Sequence, residues 1–299
     1  MFDTVIIGGG PAGLSAALVL GRARRNVLLI DADRPRNKVT RYSHGFLSRD
    51  GISPSDFKAA AHHDISKYPS VTIKRTEVVH ARKNDKHFAI VTMNKDVFEA
   101  KKIIIATGVK EILPNIKSLG RFYGKSIFNC VYCDGWEVRD KRLAILSSHL
   151  GTLQLVKLVY NWSKNLIVCT NGHHPIDQKT KQTLQLKGIE VIETIITELT
   201  GAGDQVEAVR FADGREEPIE AGFISPEWCH SGYIANGLGC KKMPQGGIMT
   251  DGMGRTNIQG VYAAGDSSII SPSQIAIAVG DGSRTAIGVN MDLTNEEFK

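Results

Sequence analysis

The sequence predicts an α/β fold built from two domains, and three observations carry this prediction. A glycine-rich turn joins an apolar strand to a helical segment close to the start of the chain. The rest of the chain alternates short apolar strands with helical segments, as parallel sheets covered by helices do. At 299 residues the chain is longer than one hydrophobic core usually supports.

The first motif comprises the strand Thr4–Ile7, a glycine-rich turn and the helical run Leu14–Leu20. In the turn, Gly8 permits the sharp bend, Gly10 lets the backbone approach a pyrophosphate, and Gly13 allows close packing of the helix. The start of the helix faces the phosphate charge. We therefore predict a Rossmann-like, dinucleotide-binding domain.

A second strand, Asn26–Ile30, delivers Asp31 at the distance where a carboxylate accepts hydrogen bonds from a ribose. Neither the turn nor Asp31 distinguishes FAD from NAD. More distant segments decide between them.

Two later segments each combine an apolar strand with small residues. One is the strand Lys101–Ile105 followed by Ala106-Thr107-Gly108, and the other is Gly260–Asp266. Together with the first glycine turn they resemble the flavoproteins that have two dinucleotide-binding domains. The resemblance implies FAD as the cofactor, with Asp266 on its ribityl chain and Thr107 and Gly108 beside it.

Two cysteines lie near the middle of the chain, in Asn129-Cys130-Val131-Tyr132-Cys133-Asp134-Gly135. Their spacing brings both sulfurs within disulfide reach, and a helix start lowers the pKa of a thiol and favours exchange. The stretch resembles the Cys-x-x-Cys-Asp-Gly of low-molecular-weight thioredoxin reductases. The resemblance implies that Cys133 faces the flavin, Cys130 attacks an external disulfide, and Asp134 manages the proton on sulfur.

A non-catalytic thiol pair or half of a metal site stays open as an alternative for these two cysteines. We predict no metal site, because Cys169, Cys229 and Cys240 are too scattered to complete one.

The strand Lys141–Leu146 is followed by a loop that departs from this resemblance. Thioredoxin reductases continue here into a glycine loop for the NADPH pyrophosphate, whereas this chain has Ser147-Ser148-His149-Leu150-Gly151-Thr152. A side chain such as His149 would obstruct a diphosphate. The stretch Asn171–Pro175, after the next strand, lacks the arginine that reads the 2′-phosphate in the family. Both features predict that NADPH is not the electron donor, and a divergent pyridine-nucleotide site stays as the alternative.

Other segments also resemble proteins outside the NADPH-dependent group. Arg36-Asn37 and the stretch His44–Gly51 resemble relatives that include dithiol oxidases of small sulfur metabolites and reductases fed by ferredoxin. Near the end of the chain, Ser273-Gln274-Ile275 resembles the start of the helix that faces the flavin, with Ser273 in place of the family's arginine. His44 could carry a proton near the flavin, but a structural role is favoured and we do not assign it as catalytic.

The predicted catalytic residues are Cys130, Cys133 and Asp134. The predicted cofactor-binding residues are Gly8, Gly10, Pro11, Ala12, Gly13, Asp31, Asn37, Thr107, Gly108, Gly265, Asp266, Gln274 and Ile275. The expected domains are a discontinuous FAD-binding domain, residues 1–112 and 244–299, and an inserted pyridine-nucleotide-like domain, residues 113–243, that carries the cysteine pair.

Composition excludes several classes of protein. No apolar run approaches a membrane span, and the N-terminus shows neither a signal nor a transit peptide, so we predict a cytoplasmic protein. Five cysteines with one close pair do not form a disulfide framework. The net charge of +6 indicates an ordinary solvated surface, because no basic stripe is interleaved with aromatic residues as a nucleic-acid surface would be.

The sequence thus predicts an FAD-dependent thiol/disulfide oxidoreductase of the thioredoxin reductase type that is not driven by NADPH. Its partner would be a thioredoxin-like protein or a small disulfide or dithiol, and the electron partner stays open among ferredoxin, oxygen and a second flavin. The resemblance implies a homodimer. The alternatives are an NADPH-dependent thioredoxin reductase with a divergent loop and a non-catalytic flavin-binding sensor.

Overall fold

The structure is a computed structural model that describes residues 1–230, 232–268 and 272–299. The strands are β1 (Phe2–Ile7), β2 (Val27–Asp31), β3 (Val71–Arg75), β4 (Val78–Asn84), β5 (His87–Thr92), β6 (Val97–Ile105), β7 (Val109–Ile112), β8 (Ile127–Phe128), β9 (Leu143–Leu146), β10 (Leu166–Cys169), β11 (Glu190–Ile192), β12 (Ile196–Ala202), β13 (Gln205–Phe211), β14 (Glu216–Pro218), β15 (Ala221–Ile224), β16 (Glu227–His230) and β17 (Val261–Ala263). The α-helices are α1 (Pro11–Arg22), α2 (Pro54–Ser66), α3 (Leu119–Phe122), α4 (Val131–Asp134), α5 (Thr152–Val159), α6 (Gln178–Gln185), α7 (Tyr233–Gly237) and α8 (Ile275–Glu297).

The chain divides into two compact units. The first contains Met1–Lys38, Gly45–Lys110 and Trp228–Lys299, and the second contains Val39–His44 and Glu111–Glu227. The second crossing between units thus falls before Trp228, while the sequence analysis places it at residue 244. The reason is α7, which buries Ile234 in the core of the first unit. Which unit holds which nucleotide stays a prediction.

The first unit is built on a sheet whose strand order is β3-β2-β1-β6-β5-β4, with β17 also paired to β6. The strands β3, β2, β1, β6 and β17 run parallel. Successive residues of a strand point to opposite faces, so the apolar residues on the two faces of these strands fill a core on each side. One core contains Val5, Leu28 and Ile103, and the other contains Ile6, Leu29 and Ile104.

Helices α1 and α8 cover the second of these cores, where they contribute Ala16, Ala17, Ala286 and Val289. Their small side chains allow the two helices to approach closely. A Cβ at Gly282 in α8 would overlap the backbone of Ala12 in α1. This contact fixes the start of α1 against α8.

The second unit contains a five-stranded sheet of order β11-β10-β9-β15-β8 and a three-stranded sheet of order β12-β13-β14. The pairs within the larger sheet are all parallel. From β9 the chain moves to β10 and β11 on one side, and it returns later through β15 on the other. The carboxyl end of β9 is therefore the switch point where parallel sheets form ligand crevices.

In the part of the chain that the structure describes, none of the helices combines the length and the apolar character needed to cross a membrane.

Candidate cofactor and redox sites

The cofactor residues predicted in the first unit meet at one edge of its sheet. Gly8 follows β1, Asp31 ends β2, Thr107 follows β6 and Asp266 follows β17. Because these strands are parallel, their carboxyl ends lie at the same edge. This is the edge where parallel α/β sheets bind ligands.

The glycine turn has the geometry that a phosphate-binding loop needs. Gly8 has a φ of 111°, which favours glycine, and its amide donates to the carbonyl of Ile30 at 2.8 Å. A Cβ at Gly13 would overlap the carbonyl oxygen of Gly8, so the helix can follow the turn only with glycine there. A Cβ at Gly10 would meet no atom within 4 Å. The open space therefore lies beside Gly10, next to the N-terminal amides of α1.

Asp31 lies directly against this turn. A Cβ at Gly9 would overlap the Asp31 carboxylate, so Gly9 makes room for that side chain. One carboxylate oxygen accepts from the amide of Asp33 at 2.9 Å, and the other accepts from Nζ of Lys58 at 2.5 Å. Lys58 also reaches Asp33 at 2.5 Å. These contacts hold the Asp31 carboxylate in place beside the turn.

Asp266 is held by a guanidinium from a distant segment. Nη2 of Arg36 lies 3.1 Å from the Asp266 carboxylate and donates to the Ser273 hydroxyl at 2.6 Å. That hydroxyl in turn donates to Asp266 at 2.5 Å. The Arg36 guanidinium lies over the ring of Trp228, 5.3 Å from its centroid. Arg36 thus brings a positive charge to Ser273, the position where the resemblance expects an arginine.

Two buried residues outside the predicted set hold the remaining loops. The hydroxyl of Ser267, which is 1% exposed, accepts from the amide of Gly108 at 2.8 Å. The carboxylate of Asp281, in α8, accepts from the amide of Gly265 at 2.7 Å. The sequence could have pointed to Asp281, because a carboxylate between Gly280 and Gly282 interrupts an apolar helical pattern and a buried carboxylate needs a hydrogen-bond partner. No such signal pointed to Ser267.

The other predicted residues lie around the same edge. Pro11 is the first residue of α1 and Ala12 the second, while Asn37 belongs to a short 3-10 turn, Arg36–Val39. Gln274 is the N-cap residue of α8, and Ile275 is its first residue. The open backbone at Gly10, the fixed carboxylates and the two helix starts together fit a dinucleotide with a diphosphate at α1.

The cysteine pair lies in the second unit, at a single helical turn. Cys130 and Cys133 form a disulfide with a Cα–Cα distance of 5.2 Å. Cys130 is the N-cap residue of α4, and its carbonyl accepts from the amides of Cys133 at 3.2 Å and Asp134 at 3.1 Å. The predicted helix that starts at this pair is a single turn long. The hydrogen bonds of this turn keep the two sulfurs close together.

Asp134 follows the disulfide directly and is half-buried. Burial raises the pKa of its carboxyl to about 7, with a smaller contribution from the negative charge of Glu137. A carboxyl with this pKa exchanges its proton readily near neutral pH, as a general acid or base must.

Aromatic side chains lie around the turn Cys130–Gly135, which carries the disulfide and is called the redox turn below. Tyr132, between the cysteines, is 62% exposed, and Trp136 is 65% exposed. The ring of Trp162 packs edge-on against Tyr132 at 5.5 Å, and a Cβ at Gly135 would approach it to 3.1 Å. Glycine at position 135 therefore lets the turn lie flat on Trp162.

The loop after β9 is closed by the ring of His149. Nδ1 of this ring accepts from the amide of Gly151 at 3.0 Å, and Nε2 lies 2.5 Å from the hydroxyl of Ser225, just after β15. The Nε2–H tautomer satisfies both contacts, since Nε2 then donates to Ser225. The carbonyl of His149 also accepts from the Thr152 hydroxyl at 2.6 Å. The imidazole thus spans the carboxyl ends of β9 and β15, beside the switch point of the sheet.

The stretch after β10 is organised by a carboxylate. Glu193 lies 2.8 Å from Nδ1 of His174 and 2.6 Å from Nζ of Lys181. Its backbone carbonyl accepts from the amide of Gly172 at 2.8 Å. His174 and Lys181 are therefore paired with an acid of their own unit.

Comparison with known proteins identifies the family. The sequence pattern described as pyridine nucleotide-disulphide oxidoreductase matches residues 2–282. A thioredoxin reductase of Claviceps purpurea is 30% identical over 89% of this chain and 86% of its own length. A thioredoxin reductase of Helicobacter pylori is 28% identical over 97% and 98%. The crystal structure of a putative thioredoxin reductase from Bacillus anthracis superposes with a TM-score of 0.96 at 40% identity, covering 99% of this chain and all of that one.

These findings confirm three sequence predictions: the α/β fold with two Rossmann-like domains, FAD as the cofactor, and the resemblance to thioredoxin reductases. They do not test the roles of individual residues, which stay predictions. The chain belongs to the pyridine nucleotide-disulphide oxidoreductase family and is an FAD-dependent disulfide oxidoreductase of the thioredoxin reductase-like kind.

Proposed function

We propose that this enzyme passes electrons between its flavin and an external thiol or disulfide through Cys130 and Cys133, and that NADPH is not its electron donor. The external partner is a thioredoxin-like protein or a small disulfide or dithiol. Ferredoxin, oxygen and a second flavin are the candidates for the electron partner.

The observation that carries the proposal is the hydrogen bonding of His149. In a nucleotide-binding loop the first amides of the helix are left for phosphate oxygens. Here Nδ1 of the ring takes the amide of Gly151, and the other ring nitrogen is bonded to Ser225. A diphosphate would have to displace a ring that is bonded at both ends.

The stretch after β10 supports the same proposal. Discrimination of NADPH from NADH commonly uses an arginine on the 2′-phosphate. The stretch 171–175 contains no arginine, and the nearby Lys181 is paired with Glu193 at 2.6 Å. The second unit therefore offers little to a 2′-phosphate.

Bound FAD supplies two-electron oxidation and reduction. In its cradle we assign the diphosphate to Gly10 and the start of α1, and the ribityl chain to Asp266. The starting residues of α8, Gln274 and Ile275, would approach the ring. Asp31, fixed by Lys58 at 2.5 Å, would accept from the ribose.

The disulfide chemistry uses the protein's own groups. In the reducing direction the Cys130 thiolate attacks a substrate disulfide, and one substrate sulfur leaves. Cys133 then attacks the Cys130 sulfur, which releases the second substrate sulfur and re-forms the Cys130–Cys133 bond. Asp134 gives a proton to a leaving sulfur and receives one from Cys133. The oxidising direction is the same sequence in reverse.

Anaerobic stopped-flow absorption of the purified holoenzyme tests the proposal. We expect reduced ferredoxin or a dithiol to bleach the flavin band, and NADPH and NADH to leave it unchanged. Dithionite, which reduces flavin without any binding site, is the positive control in each sample. Rapid bleaching by NADPH would overturn the proposal.

That outcome would favour a second candidate, an NADPH-dependent thioredoxin reductase with a divergent loop. The names of the Claviceps and Helicobacter relatives support this candidate. In that case the His149 ring would have to swing out on binding. A flavin reduction rate that saturates with NADPH concentration would identify it.

We also propose a homodimer in a reducing compartment such as the cytoplasm. Cys169, Cys229 and Cys240 are free thiols in a chain with one exchangeable disulfide, which suits a reducing compartment.

The dimer follows from the family resemblance. Sedimentation of the holoenzyme measures its oligomeric state.

A further inference from the structure

A second carboxylate accompanies Asp134 on the redox turn. The helix α4 ends at Asp134, but Gly135 keeps helical angles, with φ −64° and ψ −33°. Asp134 and Glu137 are therefore three residues apart on a chain that is still turning helically. Side chains at this spacing lie side by side. Consistent with this placement, after burial it is the charge of Glu137 that raises the pKa of Asp134.

Glu137 contacts His44, which is distant in sequence but belongs to the same unit. Its Oε1 lies 3.6 Å from Nε2 of His44, in the short segment Val39–His44 of the second unit. The side chain of His44 is 22% exposed and that of Glu137 is 42% exposed. The ring of Tyr42 lies 6.4 Å from the His44 ring. The polar contact with His44 limits where the Glu137 carboxylate can go.

The nearby charged group of Arg139 is engaged by the Trp136 residue. The guanidinium of Arg139 lies 4.0 Å from the centroid of the Trp136 ring and donates to the Trp136 carbonyl at 2.7 Å. Among the charged groups of the described residues, Glu137 is the one whose charge acts on Asp134. Apart from burial, which is the larger cause of the raised pKa, Asp134 therefore responds to one charged neighbour.

We infer that Glu137 and His44 are positioning residues for the redox reaction: Glu137 places a second negative charge beside the Asp134 carboxyl, and His44 limits where that charge can lie. The inference rests on the proposed role of Asp134 as the acid. An ordinary aspartic acid has lost its proton at neutral pH and could not protonate a leaving sulfur.

The proton balance of the exchange shows what this pair would provide. The cycle starts with protonated Asp134, the Cys130 thiolate and the Cys133 thiol. Asp134 gives its proton to the first leaving sulfur, and the Cys133 proton passes to Asp134 when Cys133 attacks. The products are one substrate thiol, one substrate thiolate, the Cys130–Cys133 disulfide and protonated Asp134. The acid is thus regenerated in each cycle, provided that it retains a proton at the working pH.

The test is the pH profile of anaerobic flavin reduction by dithiothreitol, which needs no natural partner. Stopped-flow rates are measured on the holoenzyme from about pH 5 to about pH 9. In the wild type the rate of flavin reduction should change steeply around pH 7, the value to which the pKa of Asp134 is raised. This part of the pH profile is called the limb below. Asp134→Asn should lack this limb.

Glu137→Gln should move the limb to lower pH by about one unit, since the charge of Glu137 is the smaller of two causes that raise the Asp134 pKa from 3.8 to about 7. Glu137→Asp keeps the charge and should stay near the wild-type profile. His44→Ala should shift the limb in the same direction by a smaller amount. Glu207→Gln, at an exposed position of β13, is the matched control and should change nothing.

Each part can fail separately. If Asp134→Asn keeps the limb, the proposed role of Asp134 is wrong, and this inference falls with it. If Asp134→Asn removes the limb but Glu137→Gln leaves it at the wild-type pH, only this inference is overturned. A shift in Glu137→Gln without any shift in His44→Ala would remove His44 from it. Flavin content and circular dichroism establish that each variant is folded.

Discussion

Replacing Asp134 with asparagine should change how the stability of the protein depends on pH. In the unfolded chain this carboxyl has its ordinary pKa of 3.8, and in the folded protein burial raises the pKa to about 7. Between these two values the folded state holds a proton that the unfolded state has lost. The contribution of Asp134 to stability is therefore complete below about pH 4 and is lost as the pH rises through 7.

The size of the effect follows from the difference between the two pKa values. A difference of one pKa unit corresponds to about 1.4 kcal/mol, so a gap of about three units would give about 4 kcal/mol. Because Asp134 is partly exposed, solvent screening reduces this figure. We expect wild type to lose about 2 to 4 kcal/mol relative to Asp134→Asn between pH 4 and pH 7.

Urea unfolding of the oxidised holoenzyme measures this difference. The free energy of unfolding is determined at several pH values from about pH 4 to about pH 8 for wild type and Asp134→Asn. Asp85→Asn is the control, because Asp85 is exposed in the turn between β4 and β5. That variant should follow the wild-type curve.

Only the pH dependence bears on the reasoning. A constant difference between wild type and Asp134→Asn at every pH would mean that the substitution alters packing and not titration. Parallel curves of this kind would refute the raised pKa of Asp134, and with it the acid role proposed for this residue.

Three further predictions concern the cofactor and the loop Ser147–Thr152 after β9, called the altered loop below. Gly10→Ala should match the Tm of the wild-type apoprotein but bind little FAD, because its Cβ enters open space beside α1. Gly13→Ala should lose both stability and FAD because its Cβ overlaps Gly8. Normal FAD content in Gly10→Ala would contradict the assignment of the diphosphate to this turn. His149→Gly should lose about 1 to 2 kcal/mol of unfolding free energy with its two ring hydrogen bonds, and it should gain slow flavin reduction by NADPH; stopped-flow traces identical to wild type would show that the ring is not the obstacle. Arg36→Ala should weaken FAD binding to the apoprotein about tenfold by freeing Asp266, as titration calorimetry measures, and an unchanged Kd would refute this role.

The predicted cofactor residues at the carboxyl edge of the first sheet could be found from the sequence, because each of them is required by the local backbone or by the strand before it. The turn after β1 needs a residue with a positive φ at Gly8 and one without a Cβ at Gly13. Both requirements leave glycines at fixed places. Asp31 ends an apolar strand and Asp266 follows another, and parallel pairing then places them at one edge.

The contacts that hold this edge together were less accessible to sequence reasoning. Arg36 reaches Ser273 and Asp266 across more than two hundred positions of sequence, so no local pattern pairs them. The second crossing between the units falls before Trp228 rather than at residue 244 for a similar reason. The helix α7 is short, and only its tertiary contacts through Ile234 assign it to the first unit.

The redox turn shows the same division between local and tertiary information. The spacing of Cys130 and Cys133 is a local signal, and the structure joins them in a disulfide. The contact of Glu137 with His44 is tertiary, and a lone histidine in a sequence says little about its neighbours. Sequence reasoning favoured a structural role for His44, and its contact with Glu137 now connects it with the acid beside the disulfide.

Under the proposed function, the loop Ser147–Thr152 after β9 would weaken NADPH binding by an amount that can be worked out from its hydrogen bonds. Displacing the His149 ring breaks two hydrogen bonds, a cost of about 1 to 2 kcal/mol before any phosphate contact forms. The missing arginine on the 2′-phosphate removes a charged hydrogen bond worth about 1.5 to 3 kcal/mol. Together these terms amount to about 2.5 to 5 kcal/mol and would weaken NADPH binding by about two to nearly four orders of magnitude. A site that would otherwise bind at micromolar concentration would then need close to millimolar NADPH, so electrons would have to reach the flavin by another route.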